Sequence, residues 1–251
     1  RKNEETYPRG SAPAGAWLLT AGVDVQRVAE RTYLYYVIRA WGKEGESWLV
    51  KCGTAEGWVV LHQILFGSHY RTIGPAEVLP LHAVVIDSGD GNTQEEVYQI
   101  CYRWGVSAYK GASHQVKETI RKSDVPYEDG AITLFYADTN VLKSELHRQI
   151  RGARWHLHSA MDEEYYRQMG TEQQVTERDA RTGRHRTHWK CIPEGAANHY
   201  FDSEVMALVG LKSLEAEHLA TEPPRPDFID KTEPVRPEIQ VYTENFFSRG
   251  I

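Results

Sequence analysis

Only three of the 251 residues are cysteine, namely Cys52, Cys101 and Cys191. They lie far apart, are odd in number and show no CxxC spacing, which argues against a disulfide framework and against a cysteine-based zinc site. No apolar run approaches the roughly 18 to 20 residues that a membrane helix needs. Residues 1–5 show no apolar stretch of signal-peptide type, so an intracellular protein without a membrane partner is expected. Walker A, GxGxxG and GxSxG patterns are missing, which argues against nucleotide hydrolysis by this chain alone. A surplus of positive charge is missing as well. The 29 Lys plus Arg stand against 35 Asp plus Glu, a formal net charge of −6, which speaks weakly against a protein that coats nucleic acid.

What is present is ordinary for a folded chain, at 41% hydrophobic and 25% charged residues. Proline is concentrated at the ends: Pro8 and Pro13 near the start, and Pro223, Pro224, Pro226, Pro234 and Pro237 in the last stretch. The expected organisation is a linker over residues 1–16, one domain over 17–220 and a proline-rich tail over 221–251. Within the domain, short runs rich in β-branched and aromatic residues at 17–26, 32–41 and 47–53 predict three strands in a meander. Helical spacing of Trp58, Leu61, Ile64 and Leu65 follows. The continuous run 81–86 predicts a strand covered on both faces, and Asn92 or Thr93 opens a helix through Trp104. Strands at 106–109 and 132–136, a helix at 139–150, a hairpin at 172–191 and a helix at 199–218 complete the order. The predicted fold is α/β: a mixed sheet with its first three strands antiparallel and its later strands parallel through helical crossovers, flanked by helices, with an added β-hairpin.

Three acids stand out by context. Asp24 interrupts the apolar run Gly22-Val23-Asp24-Val25, where an ionised carboxylate costs several kcal/mol unless it is paired, hydrogen-bonded or bound to a metal. Asp87 ends the strand Val84-Val85-Ile86, at the carboxyl edge where α/β sheets build their crevices. Asp202 falls in the first turn of the last helix. Convergence of the three would be relieved by a hard divalent cation, Mg²⁺ or Mn²⁺. Turn-forming and helix-capping roles are the alternatives for Asp87 and Asp202. Between positions 176 and 190, Arg178, Arg181, Arg184, Arg186 and Lys190 face only Glu177 and Asp179, so a basic hairpin turn is a candidate for phosphate contact. His156, His158, His185 and His188 lack a cysteine or carboxylate at set spacing and are expected as surface residues.

An ordered set of motifs also resembles a known family: Leu19-Thr20-Ala21-Gly22-Val23-Asp24-Val25-Gln26, then Trp41-Gly42 and Glu46-Ser47-Trp48, then Val85-Ile86-Asp87-Ser88-Gly89 with Val97-Tyr98, then Tyr109-Lys110-Gly111, and finally the segment from Asn198 to Asp202. Together they resemble the nuclease domain of lambda-type bacteriophage terminase large subunits. The resemblance implies an RNase H-like fold and a metal-dependent endonuclease that cuts concatemeric viral DNA during genome packaging. It implies metal ligation by Asp24, Asp87 and Asp202, with Asp138 and Glu204 in reserve, and two ions about 4 Å apart. It further implies phosphate contact by Lys110 and the hairpin cations. The implied partners are double-stranded DNA, a small terminase subunit, an ATPase domain upstream in the full-length subunit, and the portal or empty capsid through the tail. The implied compartment is the host cytoplasm. Two departures stand out: His199 and Asn140 occupy positions where the family pattern has acids. Another RNase H-like nuclease, such as a resolvase or transposase, would use the same acids, and a non-catalytic DNA-binding or assembly module is the alternative of a different class.

Overall fold

The computed structural model describes residues 4–73, 78–112, 116–178 and 183–219; of Arg186 it describes the backbone only. In chain order the elements are β1 (Ser11–Ala12), β2 (Leu18–Val28), β3 (Arg31–Trp41), β4 (Ser47–Glu56), α1 (Trp58–Phe66), β5 (Tyr70–Thr72), β6 (Val78–Leu79), β7 (Leu81–Asp87) and α2 (Gln94–Trp104). There follow β8 (Ser107–Gly111), β9 (Ile120–Tyr127), β10 (Gly130–Ala137), α3 (Thr139–Arg151), β11 (Trp155–His156), α4 (Glu163–Met169), β12 (Glu172–Arg178), β13 (His185–Cys191) and α5 (His199–Ser213).

The main sheet has eight strands in the order β11-β4-β3-β2-β7-β8-β10-β9. The meander β2-β3-β4 is antiparallel, whereas β7, β8 and β10 run parallel to β2 and to one another. This is the mixed sheet expected from the sequence. It is buried on both faces. Leu61 and Leu65 of α1 and Val97, Ile100 and Cys101 of α2 pack on one face; Leu142 and Leu146 of α3, Tyr165 of α4 and the apolar side of α5 pack on the other. The closest approach is between α5 and β2. A Cβ built on Gly22 would stand 1.9 Å from the Ser203 carbonyl oxygen and 2.6 Å from the Ala207 nitrogen, so glycine is what lets the helix backbone lie on the strand. Thr20 secures the contact by donating its hydroxyl to the Ala207 carbonyl at 2.8 Å while accepting from Trp41 Nε1 at 2.7 Å.

Several features differ from expectation, among them the last helix, which ends at Ser213 rather than at 218. Residues 4–16, expected as a linker, lie against the sheet. Tyr7 is buried and donates to the Leu49 carbonyl at 3.1 Å, Gly10 N bonds Val50 O, and β1 pairs with β5. His156 and His158 are not surface residues: His156 bonds Glu5 and Glu46 at 2.6 and 2.9 Å, and His158 is buried. The sheet gains an edge strand, β9, paired antiparallel to β10. A short helix, α4, precedes the hairpin, whose two strands pair as expected from Glu172↔Cys191 to Arg178↔His185. The tip at 179–182 and the tail from 220 onward lie outside the described residues. No helix among the described residues is long and apolar enough to cross a membrane.

Candidate active site

Strand alternation sends Thr20, Gly22 and Asp24 of β2 to the face covered by α5. Because Val23 pairs with Ile86 across the parallel strands β2 and β7, Asp24 and Asp87 are the next residues along neighbouring strands. Asp87 pairs with Tyr109, whose side chain belongs to the core beneath α3 and α5, so both acids face the same side. Helix α5 crosses that side with His199 and Asp202 in its first turn. The structure thus brings Asp24, Asp87 and Asp202 to one edge of the sheet.

Their partners differ. Asp24 is buried, and its Oδ2 accepts from Gln26 Nε2 at 2.8 Å and lies 2.8 Å from His199 Nδ1. The His199 ring is held against Tyr35, the cross-strand neighbour of Asp24, with centroids 4.3 Å apart. Burial raises the Asp24 pKa and the charge of Asp202 adds to the rise, while the His199 contact opposes it. Asp87 accepts a backbone bond from Gly89, at 3.1 Å, which curls the loop after β7 around its carboxylate, and Ser88 adds a second backbone contact. Burial, then the nearby Asp24 and Asp202, push its pKa up to about 7, against the pull of the Gly89 amide. Asp202 is half-exposed, with Lys143 Nζ 2.8 Å from Oδ1 and Asn198 Nδ2 donating to Oδ2 at 2.8 Å. Burial of Lys143 is offset by two carboxylates, Asp202 and Glu172, which together hold its pKa above the usual lysine range.

Several expected site residues stand elsewhere. Glu204 is fully buried and clamped by Arg39, Nε to Oε2 at 2.8 Å and Nη2 to Oε1 at 2.9 Å, with Tyr165 donating to it as well. It is a structural counter-ion facing the core. Asp138 caps α3, its Oδ1 accepting from the backbone of Asn140 and Val141 at 3.1 and 3.2 Å. Lys110 follows Tyr109 on β8, so alternation points it to the face opposite the acids. The lysine at the acids is Lys143. Sequence reasoning missed it, although it is a cation inside the apolar stripe Leu142-Leu146 of α3. In the hairpin, Arg178 and Arg184 are exposed, Arg178 bonding the Gly183 carbonyl at 3.3 Å, and Lys190 lies 3.6 Å from Glu177. Arg181 lies outside the described residues, as does the side chain of Arg186. Trp189 ties the hairpin to α3, through its backbone to Asn140 Oδ1 at 3.0 Å and through Nε1 to Ser144 Oγ at 2.9 Å.

As the side chains stand, no group of three or more His, Cys, Asp or Glu among the described residues is gathered closely enough to hold a metal ion. The donor chemistry nevertheless suits one. Asp24 and Asp87 are neighbours on paired strands, both are disfavoured in their charged form by burial, and each is disfavoured further by another carboxylate. The His199 contact opposes the rise at Asp24, and Lys143 is paired with the third acid, Asp202. A hard cation would offset the same charge through oxygen ligands.

A family model described as the terminase large subunit gpA, endonuclease domain, matches residues 1–222 of the chain. No curated protein and no solved structure matches it.

Proposed function

The chain belongs to the endonuclease-domain family of the terminase large subunit gpA, and from that premise we propose that it hydrolyses DNA phosphodiesters with Mg²⁺ or Mn²⁺ held by Asp24, Asp87 and Asp202. The family gives the phage terminase nuclease role. The observation that carries the metal reading is Asp87: a carboxyl at a parallel-strand end, next to Asp24, with its pKa raised to about 7 by burial and by Asp24 in spite of the backbone amides of Gly89 and Ser88 that oppose the rise. Bound there, two such ions would activate a water and stabilise the departing oxygen of the cleaved phosphodiester.

The chain's own residues supply the rest. Gln26 and His199 fix the rotamer of Asp24, and the Gly89 amide fixes Asp87. Asn198 and Lys143 orient Asp202. The exposed hairpin cations Arg178, Arg184 and Lys190 would grip the DNA backbone, which positions a duplex without reading its sequence. Low intrinsic specificity follows, and site choice would then fall to a small terminase subunit and to an ATPase domain of the full-length subunit. Docking on the portal or empty capsid through residues 221–251, and action in the host cytoplasm, belong to the same proposal.

The test is cleavage of supercoiled plasmid by the wild-type chain and by Asp24→Ala, side by side in Mg²⁺, Mn²⁺ and EDTA. Nicking that needs the metal and disappears in the variant is expected. Cleavage that persists in EDTA or in Asp24→Ala would overturn the metal reading.

A further inference from the structure

Two donors hold the third acid, and the same two hold a residue outside the acid set. Lys143 Nζ contacts Asp202 Oδ1 at 2.8 Å and also pairs with Glu172 Oε1. Asn198 Nδ2 donates to Asp202 Oδ2 at 2.8 Å and also to Glu172 Oε1. One ammonium and one amide are therefore shared between two carboxylates. The carboxylates differ in burial. The side chain of Glu172 is 3% exposed and that of Asp202 is 31% exposed. Glu172 Oε2 has no hydrogen-bond partner among the described residues, so Oε1 carries the polar contacts of that carboxylate. A buried carboxylate cannot give up its donors to water without a large desolvation cost, whereas a half-exposed one can.

We propose that Glu172 is a positioning residue that keeps the Lys143 ammonium when Asp202 turns to a divalent cation, and thereby sets the affinity of the acids for the metal. This rests on the metal-dependent reading above. Lys143 and a cation compete for Asp202. With Glu172 charged, the ammonium retains a full anionic partner after Asp202 lets go. With glutamine at position 172, Asp202 becomes the one carboxylate left to the ammonium in this pairing, and a metal must displace it outright. The first residue of β12 is Glu172, paired with Cys191, and Trp189 of the same hairpin is bonded to α3 on either side of Lys143. The element that carries the exposed cations thus also fixes the anion that restrains Lys143.

The experiment is a calorimetric Mn²⁺ titration of the full 251-residue chain after EDTA treatment, for wild type, Asp24→Ala, Glu172→Gln, Lys143→Met and the double variant Glu172→Gln/Lys143→Met. Glu172→Gln is expected to weaken Mn²⁺ binding roughly three- to tenfold, the range set by the net contribution of one ordinary hydrogen bond, and Lys143→Met to tighten it by a similar factor. The double variant should match Lys143→Met, because Glu172 acts through the lysine. A plain loss of negative charge would instead weaken binding in both backgrounds, and that result would overturn the inference. So would shifts of the same sign in the two single variants. Glu172→Gln is nearly isosteric and carries the test alone if Lys143→Met does not fold: unchanged or tighter binding then overturns the inference. Wild-type chain without Asp24-dependent Mn²⁺ binding would overturn the metal reading and this inference together. Asp24-dependent binding that none of the other variants moves would overturn this inference only.

Discussion

Replacing Asp87 by asparagine should stabilise the metal-free protein while abolishing cleavage. The carboxyl pKa rises from 3.8 to about 7 on folding, chiefly through burial and then through Asp24. A carboxyl raised in this way keeps its proton in the folded chain while the unfolded chain loses it. The penalty is absent below about pH 4, grows as pH rises, and is complete above about pH 7. At about 1.36 kcal/mol per pH unit it reaches ~1.5 kcal/mol at pH 5 and at most ~4 kcal/mol at pH 8. Asparagine never takes the charge, and its Oδ1 can still accept from the Gly89 amide. For a domain of this size each kcal/mol moves Tm by roughly 2–4 °C, so in EDTA the variant should melt about 3–6 °C above wild type at pH 5 and about 8–16 °C above it at pH 8. Mn²⁺ should then close the gap from the other side, raising the wild-type Tm at pH 8 and leaving that of Asp87→Asn nearly unmoved. Thermal unfolding followed by circular dichroism at the two pH values, with and without Mn²⁺, measures all four quantities. An advantage that does not grow between pH 5 and pH 8, or a variant less stable than wild type at pH 8, would refute the assignment of an unrelieved charge to Asp87.

Gly22→Ala should cost about 1–3 kcal/mol and depress cleavage, since the new Cβ drives α5 away from β2 and carries His199 and Asp202 with it; a variant with lowered urea midpoint and full activity would contradict that geometry. Glu204→Gln should destabilise by about 3–5 kcal/mol by leaving Arg39 buried without its carboxylate, yet leave Mn²⁺ affinity unchanged in the folded fraction; weakened metal binding in a stably folded variant would return Glu204 to the ligand set. Alanine at Arg178, Arg184 and Lys190 together should weaken duplex binding and reduce the slope of log K against log salt by up to about 0.9 for each phosphate that is no longer neutralised. An unchanged slope in fluorescence anisotropy would make the hairpin a solvated turn.

The sheet was legible because its inner strands announce themselves. β2, β3, β4 and β7 are apolar on both faces, and their turns carry Gly42, Gly45 and the run after Asp87. The parts that escaped lack such signals. β9 reads Ile-Arg-Lys-Ser-Asp-Val-Pro-Tyr, with charges at alternating and adjacent positions and Pro126 inside it; it forms because it needs only β10 as a partner, and its charges and proline suit an edge that must not pair further. α4 spans seven residues, fewer than periodicity needs to show itself. The first sixteen residues carry too few apolar side chains to suggest docking, and Tyr7 settles the matter through one buried ring and one hydroxyl.

The site divides along a different line, between charges that are anomalous where they stand and charges that become meaningful only in three dimensions. Asp24 could be found because a carboxylate in an apolar strand has no local excuse, and Asp87 because it ends such a strand. Lys143 and Glu172 come from elements distant in sequence from the acids and from each other, and only packing joins them. Helical geometry could still have separated Asp202 from Glu204. Two residues apart on a helix lie about 200° apart around its axis, so one faces the core when the other faces outward. Glu204 follows Phe201 by three residues and precedes Leu208 by four, on the buried stripe, where a carboxylate must find a partner such as Arg39. That leaves Asp202 as the acid of α5 on the open side, with a side chain exposed enough to exchange Lys143 for another cation.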